Sequence, residues 1–329
     1  MPKFDTYQDV TDAIIAQLET GTRPWQKPWN GTGSLSMPRR FSGVPYRGIN
    51  VLLLWASATQ QGLSGDRWFT FKQAKDLGGK VRKGAKGTRI VFFKPLEVRD
   101  TATGEEKKIP MLRTYVVFNA DQIEGLPAKY APAPFVPTPG IERDKAAEAA
   151  LRSCGALIEE HGGAAYYTPA TDIVTMPDFE RFASSSGYLA TLAHELCHWT
   201  GHKSRMDRFG ANTRTDYAFE ELVAEIGAAF VGTRLGITGE HIDNHSAYLA
   251  SWLKVLKNDK RAIFKAAALA QQAADMVLAN AGLPDGPGID TGEDEEGEHA
   301  PAALAPIAAP VEPYTPPPAP APRQAAFAF

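Results

Sequence analysis

The sequence predicts an α+β protein with two folded domains, a basic α+β domain followed by a mainly helical one. Three observations support this expectation. The chain has 329 residues, and a domain has about 150. Residues 1–127 hold 19 Lys and Arg against 12 Asp and Glu, whereas the remainder holds 16 against 26. Between these two parts lies APAPFVPTPG, whose prolines cannot continue a helix or a central strand.

We therefore expect a first domain over residues 1–127, a proline-rich linker over 128–140 and a second domain over 141–282. The remaining segment, 283–329, contains 11 prolines in 47 residues, an acidic run and almost no large apolar side chains. Such a composition buries too little apolar surface to offset the entropy that is lost on ordering. This tail is predicted to be disordered.

Hydrophobic periodicity predicts the elements of the first domain. Apolar residues at helical spacing predict helices over 5–20 and 49–62. WFTFKQAKDLGG predicts a strand that passes into a short helix and stops at two glycines. The β-branched and aromatic runs TRIVFFKPLEV and LRTYVVFNADQI predict strands, joined by a hairpin around TATGEEKK. A domain with this mixture of elements is α+β.

The first domain also carries a local excess of positive charge interleaved with aromatic residues. Residues 23–94 hold 14 basic residues against 2 acidic ones, together with ten aromatic residues, and 80–89 form a glycine-punctuated basic loop. Cations neutralise phosphates and exposed rings stack on unpaired bases, so this pattern favours binding of single-stranded DNA. In the alternative, the rings form the core and the lysines a solvated face. The predicted contacts are Arg39, Arg40, Arg47, Trp68, Lys72, Lys80, Arg82, Lys83, Lys86 and Arg89.

The second domain contains a metal-binding pattern, HELCHWTGH, over residues 194–202. Apolar residues at helical spacing place it on a helix over 186–201. His194 and His198 then lie one turn apart on one face, where both can bind a Zn²⁺ ion. Glu195, directly beside them, can accept a proton from a water molecule that zinc activates. The alternative is a pair of packed core histidines.

A catalytic zinc site needs a third protein ligand, and the sequence offers more than one. Gly201 matches the metzincin continuation of the motif, but that pattern requires a histidine where this chain has Ser204. His202 comes two residues too early for the same pattern. The other choice is an acidic residue on a second helix.

The helix predicted over 217–232, YAFEELVAEIGAAFVG, supplies such acids. Starting from Glu221, a second acid recurs one turn on, at Glu225, while apolar residues fill the opposite side. The pair resembles the gluzincin pattern E-x-x-x-D, in which the first acid binds zinc and the second orients a ligand histidine, although Glu225 replaces the aspartate. A ligand at Glu220 would lose this pairing. We predict Glu221 as the ligand and Glu225 as the histidine partner, with Glu225 and then His202 as alternative ligands.

Further features concern the surroundings of this site. AAYYTPATDIVTMP, over 164–177, predicts either an edge strand on which an extended peptide can add or an ordinary strand pair. EHIDNH predicts a helix cap rather than a second metal site, although His245 or Tyr248 can face the cleft. Two cysteines give no disulfide framework, and the N-terminus has no long apolar run. We expect an intracellular protein without a membrane anchor.

Several long motifs resemble the ArdC-type antirestriction proteins of conjugative plasmids and related mobile elements. The first domain contains RRFSGVPYRGINVLLLW and RWFTFKQAKDLGGKVRKGAKGTRIVFFKP, and the second contains HELCHWTGHKSRMDR and YAFEELVAEIGAAFVG. This resemblance, over residues 5–280, implies a single-stranded-DNA-binding domain followed by a zincin-like metallopeptidase domain in the bacterial cytoplasm. It also implies protection of incoming plasmid DNA from restriction, and kinship with the N-terminal part of some plasmid primases.

Two functions of different classes are compatible with these motifs. In the first, the chain is a DNA-tethered zinc metallopeptidase that acts on a protein or peptide. In the second, it is a single-stranded-DNA-binding antirestriction or primase-associated protein whose zinc only holds the fold. A structural zinc is usually closed by four protein ligands and needs no base beside it. Three predicted ligands with Glu195 next to them favour an open, catalytic site.

Overall fold

The computed structural model describes residues 5–21, 23–25, 36–99, 106–130, 144–182, 184–209, 214–237 and 246–283. These residues belong to two compact units. The first holds residues 37–130, and the second holds the N-terminal helix and the residues from 144 onward. Most of the predicted linker and of the predicted disordered tail lies outside the described residues.

The described residues form both helices and strands, which confirms the predicted α+β class. The helices are α1 (Thr6–Glu19), α2 (Ile49–Gln61), α3 (Phe71–Asp76), α4 (Lys145–Arg152), α5 (Ser185–Thr200), α6 (Arg214–Leu235), α7 (Ser246–Asn258) and α8 (Ala262–Asn280). The strands are β1 (Arg39–Arg40), β2 (Arg67–Thr70), β3 (Lys80–Val81), β4 (Thr88–Arg99), β5 (Glu106–Asn119), β6 (Ile123–Glu124), β7 (Leu157–Glu160), β8 (Tyr166–Thr168) and β9 (Ile173–Met176).

The first unit is built on a four-stranded sheet in the order β1-β2-β5-β4. Strands β4 and β5 pair antiparallel as the predicted hairpin, while part of its turn lies outside the described residues. Strands β3 and β6 form a separate two-stranded sheet. Phe69, Phe118 and Tyr130 share one hydrophobic core cluster, and the Tyr130 ring packs edge-on against Phe69. Tyr130 therefore belongs to this core, although the linker was predicted to begin at residue 128.

Asn50 of α2 joins that helix to the edge of the four-stranded sheet. Its amide nitrogen donates to the Val91 carbonyl at 2.7 Å, and its amide oxygen accepts from the Val91 N–H at 2.8 Å. Strand β4 is an edge strand, so without Asn50 these two backbone groups of Val91 would be buried without a strand partner. The side chain of Asn50 thus replaces a neighbouring strand at this position.

We expect Asn50→Ala to destabilise the protein by about 2–4 kcal/mol, because it leaves a buried donor and a buried acceptor unsatisfied. Thermal and urea unfolding followed by tryptophan fluorescence would measure the loss. The matched control is Asn258→Ala at an exposed site, which should stay within about 0.5 kcal/mol of the parent chain. Equal losses in the two variants would contradict this account of Asn50.

The second unit combines a three-stranded sheet with the helices that carry the metal-binding pattern. The sheet has the order β7-β9-β8, with β7 parallel to β9 and β8 antiparallel to it. The run predicted as an edge strand or a strand pair forms β8 and β9, and β8 is an edge strand of this sheet. Helix α6 packs along both α5 and α8. A Cβ atom at Gly227 of α6 would lie 2.8 Å from the Cys197 sulfur of α5, so glycine permits their close approach.

Helix α1 packs in the second unit, whereas the predicted limit at residue 127 assigned it to the first domain. Its buried stripe comprises Val10, Thr11, Ile14 and Leu18, which confirms the predicted amphipathic helix. The Tyr7 ring lies 4.7 Å from the Phe264 ring of α8, and the Thr11 hydroxyl donates to the Lys260 carbonyl at 2.7 Å. An amphipathic pattern shows that a helix has a partner but not which part of the chain supplies it. Among the described residues, no helix is long and apolar enough to cross a membrane.

Candidate metal centre and basic surface

Helix α5 brings the two histidines of the HELCH motif together. Its N-terminus is capped by Ser184, whose hydroxyl accepts from the Gly187 N–H at 3.0 Å. One turn separates His194 from His198, and their Nε2 atoms lie 3.1 Å apart. Both side chains are buried. Two imidazole nitrogens that converge inside a protein core form the start of a metal site.

Glu221 of α6 completes a group of three metal-ligating side chains. Its Oε1 lies 3.4 Å from His198 Nε2, and its Oε2 lies 3.8 Å from His194 Nε2. Each of these three residues offers one ligand atom, and the three atoms all lie within 4.8 Å of one another. Among the described residues, these side chains are the group that could hold a metal ion. Two imidazoles and one carboxylate are a donor set that suits zinc and other divalent transition metals.

The buried Glu195 carboxyl group lies beside this cluster. Burial raises the pKa of Glu195 to about 7. A hydrogen bond from the Tyr167 backbone acts in the opposite direction and lowers this pKa. Its Oε2 atom is buried and has no hydrogen-bond partner among the described residues. A buried carboxylate oxygen of this kind requires a proton, a water molecule or a cation. The residues present therefore fit a bound metal ion with its water.

Glu225, the predicted histidine partner, lies on the other side of His194. Its Oε2 is 3.7 Å from His194 Nδ1, and its Oε1 accepts from Arg23 Nη1 at 3.3 Å. One turn of α6 separates it from Glu221, as the predicted helical phase requires. The structure thus places Glu225 beside the ring nitrogen that faces away from Glu221.

Glu220 makes the corresponding contact with His198, which the sequence did not indicate. Its Oε1 lies 3.3 Å from His198 Nδ1. Arg208 donates to both oxygens of this carboxylate, at 2.8 and 3.1 Å. Burial alone would raise the pKa of Glu220, but the hydrogen bonds from His198 and Arg208 lower it. Burial likewise opposes the charged form of His198, yet Glu220 and Glu221 raise its pKa to about 10.

A pair of tyrosines borders Glu221. The hydroxyl groups of Tyr217 and Tyr248 lie 2.8 Å apart, and both side chains are partly buried. Burial and the nearby Glu221 carboxylate raise the pKa of both phenols, so they remain hydrogen-bond donors. Tyr248, one of the two residues that the sequence offered for the cleft, is therefore near the metal-ligating group, whereas the other, His245, lies outside the described residues.

His202 is not part of this group. Its Nδ1 atom pairs with the Ser204 hydroxyl at 2.8 Å in the turn that follows α5. Cys197 is also outside this group, because its sulfur faces Gly227 of α6. Among the described residues, the side chain that the structure groups with the two histidines is therefore Glu221, from a second helix.

The structure separates the predicted nucleic-acid contacts into buried and exposed residues. Trp68 is 1% exposed, and Arg40 is 5% exposed with its guanidinium over the Tyr46 and Phe92 rings. Neither side chain is available to a ligand, so these two predicted contacts are wrong. The physical reason is that β1 and β2 contribute to the core, where a basic residue can be covered by aromatic rings.

The remaining predicted contacts are at least partly accessible. Arg39, Arg47 and Arg89 are half-buried, and Arg39 forms an ion pair with Asp66 at 3.8 Å. The exposed residues are Lys72, Lys80, Arg82, Lys83 and Lys86. Phe71, which precedes Lys72, is 46% exposed. Among the described residues of this unit, Phe71 is the large aromatic side chain that is exposed to solvent. Of the eight aromatic residues of segment 23–94 whose side chains the structure describes, six are buried, namely Trp25, Tyr46, Trp55, Trp68, Phe69 and Phe92.

Comparison with known protein families assigns both parts of the chain. Residues 4–118 match ArdcN, the N-terminal domain of anti-restriction factor ArdC. Residues 145–269 match MPTase-PolyVal, a zincin-like metallopeptidase family. The first match includes α1, which packs in the second unit.

Curated relatives and solved structures extend these matches. The chain is 39% identical over 287 residues to the uncharacterized protein y4eC of Sinorhizobium fredii (strain NBRC 101917 / NGR234), covering 84% of this chain and 92% of that protein. It is 40% identical over 302 residues to an Escherichia coli DNA primase TraC, covering 84% of this chain but only 20% of the primase. A second E. coli TraC is 40% identical over 300 residues, and this chain covers 27% of it.

Two crystal structures of the antirestriction protein ArdC from plasmid R388 are similar to this chain. The metal-free structure is 50% identical with a TM-score of 0.76, covering 85% of this chain and 98% of that one. The Mn(II)-bound structure is 48% identical with a TM-score of 0.73, covering 84% of this chain and 98% of that one.

Proposed function

Because this chain belongs to the ArdC family of antirestriction proteins, we propose that it protects the DNA of a mobile element from restriction in a new bacterial host. It would act in the cytoplasm, binding single-stranded DNA with its first unit and a divalent metal ion with its second. The observation that carries the metal part is the buried cluster of His194, His198 and Glu221 with Glu195 beside it. The Mn(II)-bound structure of the similar R388 protein supports the same part.

We propose Zn²⁺ as the ion that His194, His198 and Glu221 bind, since two imidazoles and one carboxylate are the donors of many catalytic zinc sites. A divalent cation held there would polarise a substrate carbonyl and lower the pKa of a water molecule. Glu195 would accept the proton of that water and pass it to the leaving amine. Geometry supports this role, because Glu195 directly follows His194 and its buried Oε2 has no hydrogen-bond partner among the described residues.

The surroundings of the cluster are compatible with a peptide substrate. Strand β8 is an edge strand, and the Tyr167 backbone on it reaches Glu195. An extended peptide can add to such an edge through main-chain hydrogen bonds. The hydroxyl groups of Tyr217 and Tyr248 would donate hydrogen bonds to the substrate oxygen. Peptide hydrolysis is thus the reaction that this arrangement supports best.

One observation favours the second candidate function, a metal that only holds the fold. His194, His198, Glu195 and Glu221 are all at most 7% exposed, as in a closed site. Against it, the similar R388 protein has a metal-free crystal structure as well as a Mn(II)-bound one, so that relative folds without the metal. The two TraC primases also contain a similar region, but this chain spans about a fifth to a quarter of their length.

The exposed cations of the first unit support the DNA-binding part. Lys83 and Lys86 lie in the loop between β3 and β4, and Lys80 is the first residue of β3. Gln122 anchors the loop by donating to the Lys86 carbonyl at 3.0 Å. An anchored loop holds its cations at fixed positions, so less conformational freedom is lost when phosphates bind. The exposed ring of Phe71 offers one surface on which a base can stack.

We expect the triple variant Lys80→Glu, Lys83→Glu, Lys86→Glu to bind single-stranded DNA at least about tenfold more weakly in low salt. Its salt dependence should also fall, by about 2 in log–log slope, because each phosphate contact on a single strand contributes about 0.7. Fluorescence anisotropy with a labelled oligonucleotide, repeated over a range of salt concentrations, would measure both quantities on the full chain. Protection during conjugation into a restricting host should be lost with the binding.

The matched control changes the charge equally at three exposed lysines of the second unit, Lys145, Lys203 and Lys254. It should retain most of its DNA affinity, since only net charge and not a binding loop is altered. Equal losses in the two triple variants would indicate a general charge effect and would contradict a site in the 80–89 loop. Equally tight binding of duplex DNA by the parent chain would contradict base stacking.

A further inference from the structure

The N-terminal arm, residues 7–21 and 23–25, packs in the second unit, although it is far in sequence from the rest of that unit. Besides the contacts of Tyr7 and Thr11, the Glu19 carboxylate of α1 accepts from Lys257 of α7 at 2.6 Å. Beyond the helix, the Trp25 ring is 1% exposed and packs edge-on against the Trp252 ring, with centroids 6.0 Å apart. The arm is thus fixed to α7 and α8 along its described length.

Arg23 lies between Glu19 and Trp25 in sequence and contacts Glu225, the carboxylate beside the metal-ligating His194. Its Nη1 atom donates to Glu225 Oε1 at 3.3 Å, across 202 positions of sequence. The guanidinium also lies over the Trp252 ring, 6.0 Å from its centroid, and the side chain is 15% exposed. The other oxygen of Glu225 lies 3.7 Å from His194 Nδ1. Arg23, Glu225 and His194 therefore form a chain of charged and polar contacts that ends on a metal-ligating residue.

A similar but closer arrangement occurs at His198, where the distance from Nδ1 to the carboxylate is 3.3 Å, against 3.7 Å at His194. There the carboxylate is Glu220 and the guanidinium is Arg208, which follows α5. Each buried histidine therefore faces a carboxylate through Nδ1, and each carboxylate faces an arginine. A buried carboxylate without a positive partner is costly, and a ligand histidine depends on its outer partner for its orientation and tautomer.

We propose that Arg23 is a positioning residue of the metal centre, which orients His194 by holding the carboxylate of Glu225. This inference rests on the proposed function, since it concerns the metal ion that His194 would bind. The N-terminal arm would then contribute to metal binding by the second unit. The region that matches the metallopeptidase family, residues 145–269, lacks this arginine.

We expect Arg23→Met, made in the full chain, to weaken Mn(II) and Zn(II) binding about tenfold. Loss of a residue that supports a metal ligand typically weakens metal binding by about 10–100-fold, so this is the lower end of that range. Electron paramagnetic resonance of free Mn(II) and competition with a chromophoric Zn(II) chelator would measure the two affinities. Arg23→Lys should recover part of the loss, because an ammonium group keeps the charge but not the fork geometry. Thermal unfolding without metal would show that each variant is folded.

Lys257→Met is the matched control, because it removes another cation that ties the same arm to α7 but does not reach the cluster. It should leave both metal affinities unchanged. If the two variants weaken metal binding equally, or if Arg23→Met lowers only the melting temperature, the arm has a structural role alone and the proposal is overturned.

A double-mutant cycle separates an effect through Glu225 from a direct one. In a Glu225→Gln background, Arg23→Met should change metal affinity less than about twofold, since the carboxylate that Arg23 holds is gone. A full tenfold effect in that background would overturn the proposed route. If the parent chain itself binds neither Mn(II) nor Zn(II), the proposed metal function fails, and that result is distinguishable from failure of the Arg23 variant alone.

Discussion

Glu195→Gln is expected to abolish peptide hydrolysis while leaving metal binding, DNA binding and folding intact. General acid–base catalysis contributes about 10²–10⁴-fold to a rate, and an amide cannot accept the proton of the attacking water. The substitution keeps the shape of a side chain that is 7% exposed, so no cavity is created. It also leaves the three metal-ligating side chains unchanged. This combination separates the loss of a base from the loss of a metal ion.

Hydrolysis can be measured in cells without first identifying the substrate. New protein N-termini would be compared by mass spectrometry in cells that carry the parent chain, Glu195→Gln or no plasmid copy of the protein. Cleavages found with the parent chain should be absent with Glu195→Gln. Glu159→Gln is the matched control, because it makes the same chemical change at an exposed position of the same unit, and it should keep every cleavage.

Conjugation into a restricting host tests what the enzyme contributes to protection. We expect Glu195→Gln to protect entering DNA almost as well as the parent chain, since shielding DNA requires occupancy rather than hydrolysis. The variant with three reversed charges in the 80–89 loop should show the opposite behaviour, with metal bound and protection lost. Loss of protection with Glu195→Gln, at normal protein level and normal metal content, would show that hydrolysis performs the protective function.

The parts of the fold that could be predicted are those in which one face of an element is apolar. Helical phase distinguished Glu221 from Glu220, because only Glu221 has an acid one turn further on and apolar residues behind it. The metzincin pattern placed His202 last among the alternative ligands, because the third histidine of that pattern would stand at Ser204. The structure groups Glu221 with His194 and His198.

Two parts of the site could not be predicted, for different physical reasons. Glu220 was weighed only as a ligand, since spacing along a helix does not show which carboxylate reaches the far nitrogen of a histidine. Arg23 precedes residues 37–130 of the first unit and pairs with Glu225, 202 positions later in the chain. Periodicity describes the face of one element, and it carries no information about contacts between distant elements.

The aromatic residues of the first unit illustrate a limit of composition. Their number favoured a stacking surface, yet Trp68, Phe69 and Phe92 are all at most 2% exposed. Burial of apolar surface is the dominant favourable term in folding. A large aromatic ring in a small sheet domain is therefore buried in the core wherever the core has space for it. The exposed ring is Phe71, at the first turn of α3, where the strand has ended and its alternation no longer applies.

Glu221→Ala should lower the affinity for Zn(II) and Mn(II) by more than about a hundredfold. Loss of a residue that only hydrogen-bonds a metal ligand lowers metal affinity by about 10–100-fold, and loss of a ligand itself should cost more. His194 and His198 would remain, but two imidazoles on one helix bind a divalent ion weakly without a third protein ligand. His202→Ala should leave the metal close to stoichiometric, since its ring pairs with Ser204 outside the cluster.

Metal content after dialysis, together with chelator competition, measures both variants. Glu221→Gln serves as the isosteric control, because it fills the same buried space and removes only the charge and ligand strength of the carboxylate. If Glu221→Gln also loses the metal while remaining folded, a collapsed cavity is excluded as the cause. The opposite order, with metal lost in His202→Ala and retained in Glu221→Ala, would move the third ligand to the turn after α5. The likeness to gluzincins would then fail, and the roles of Glu225 and Arg23 would have to be reconsidered, because both depend on α6 facing the metal through Glu221.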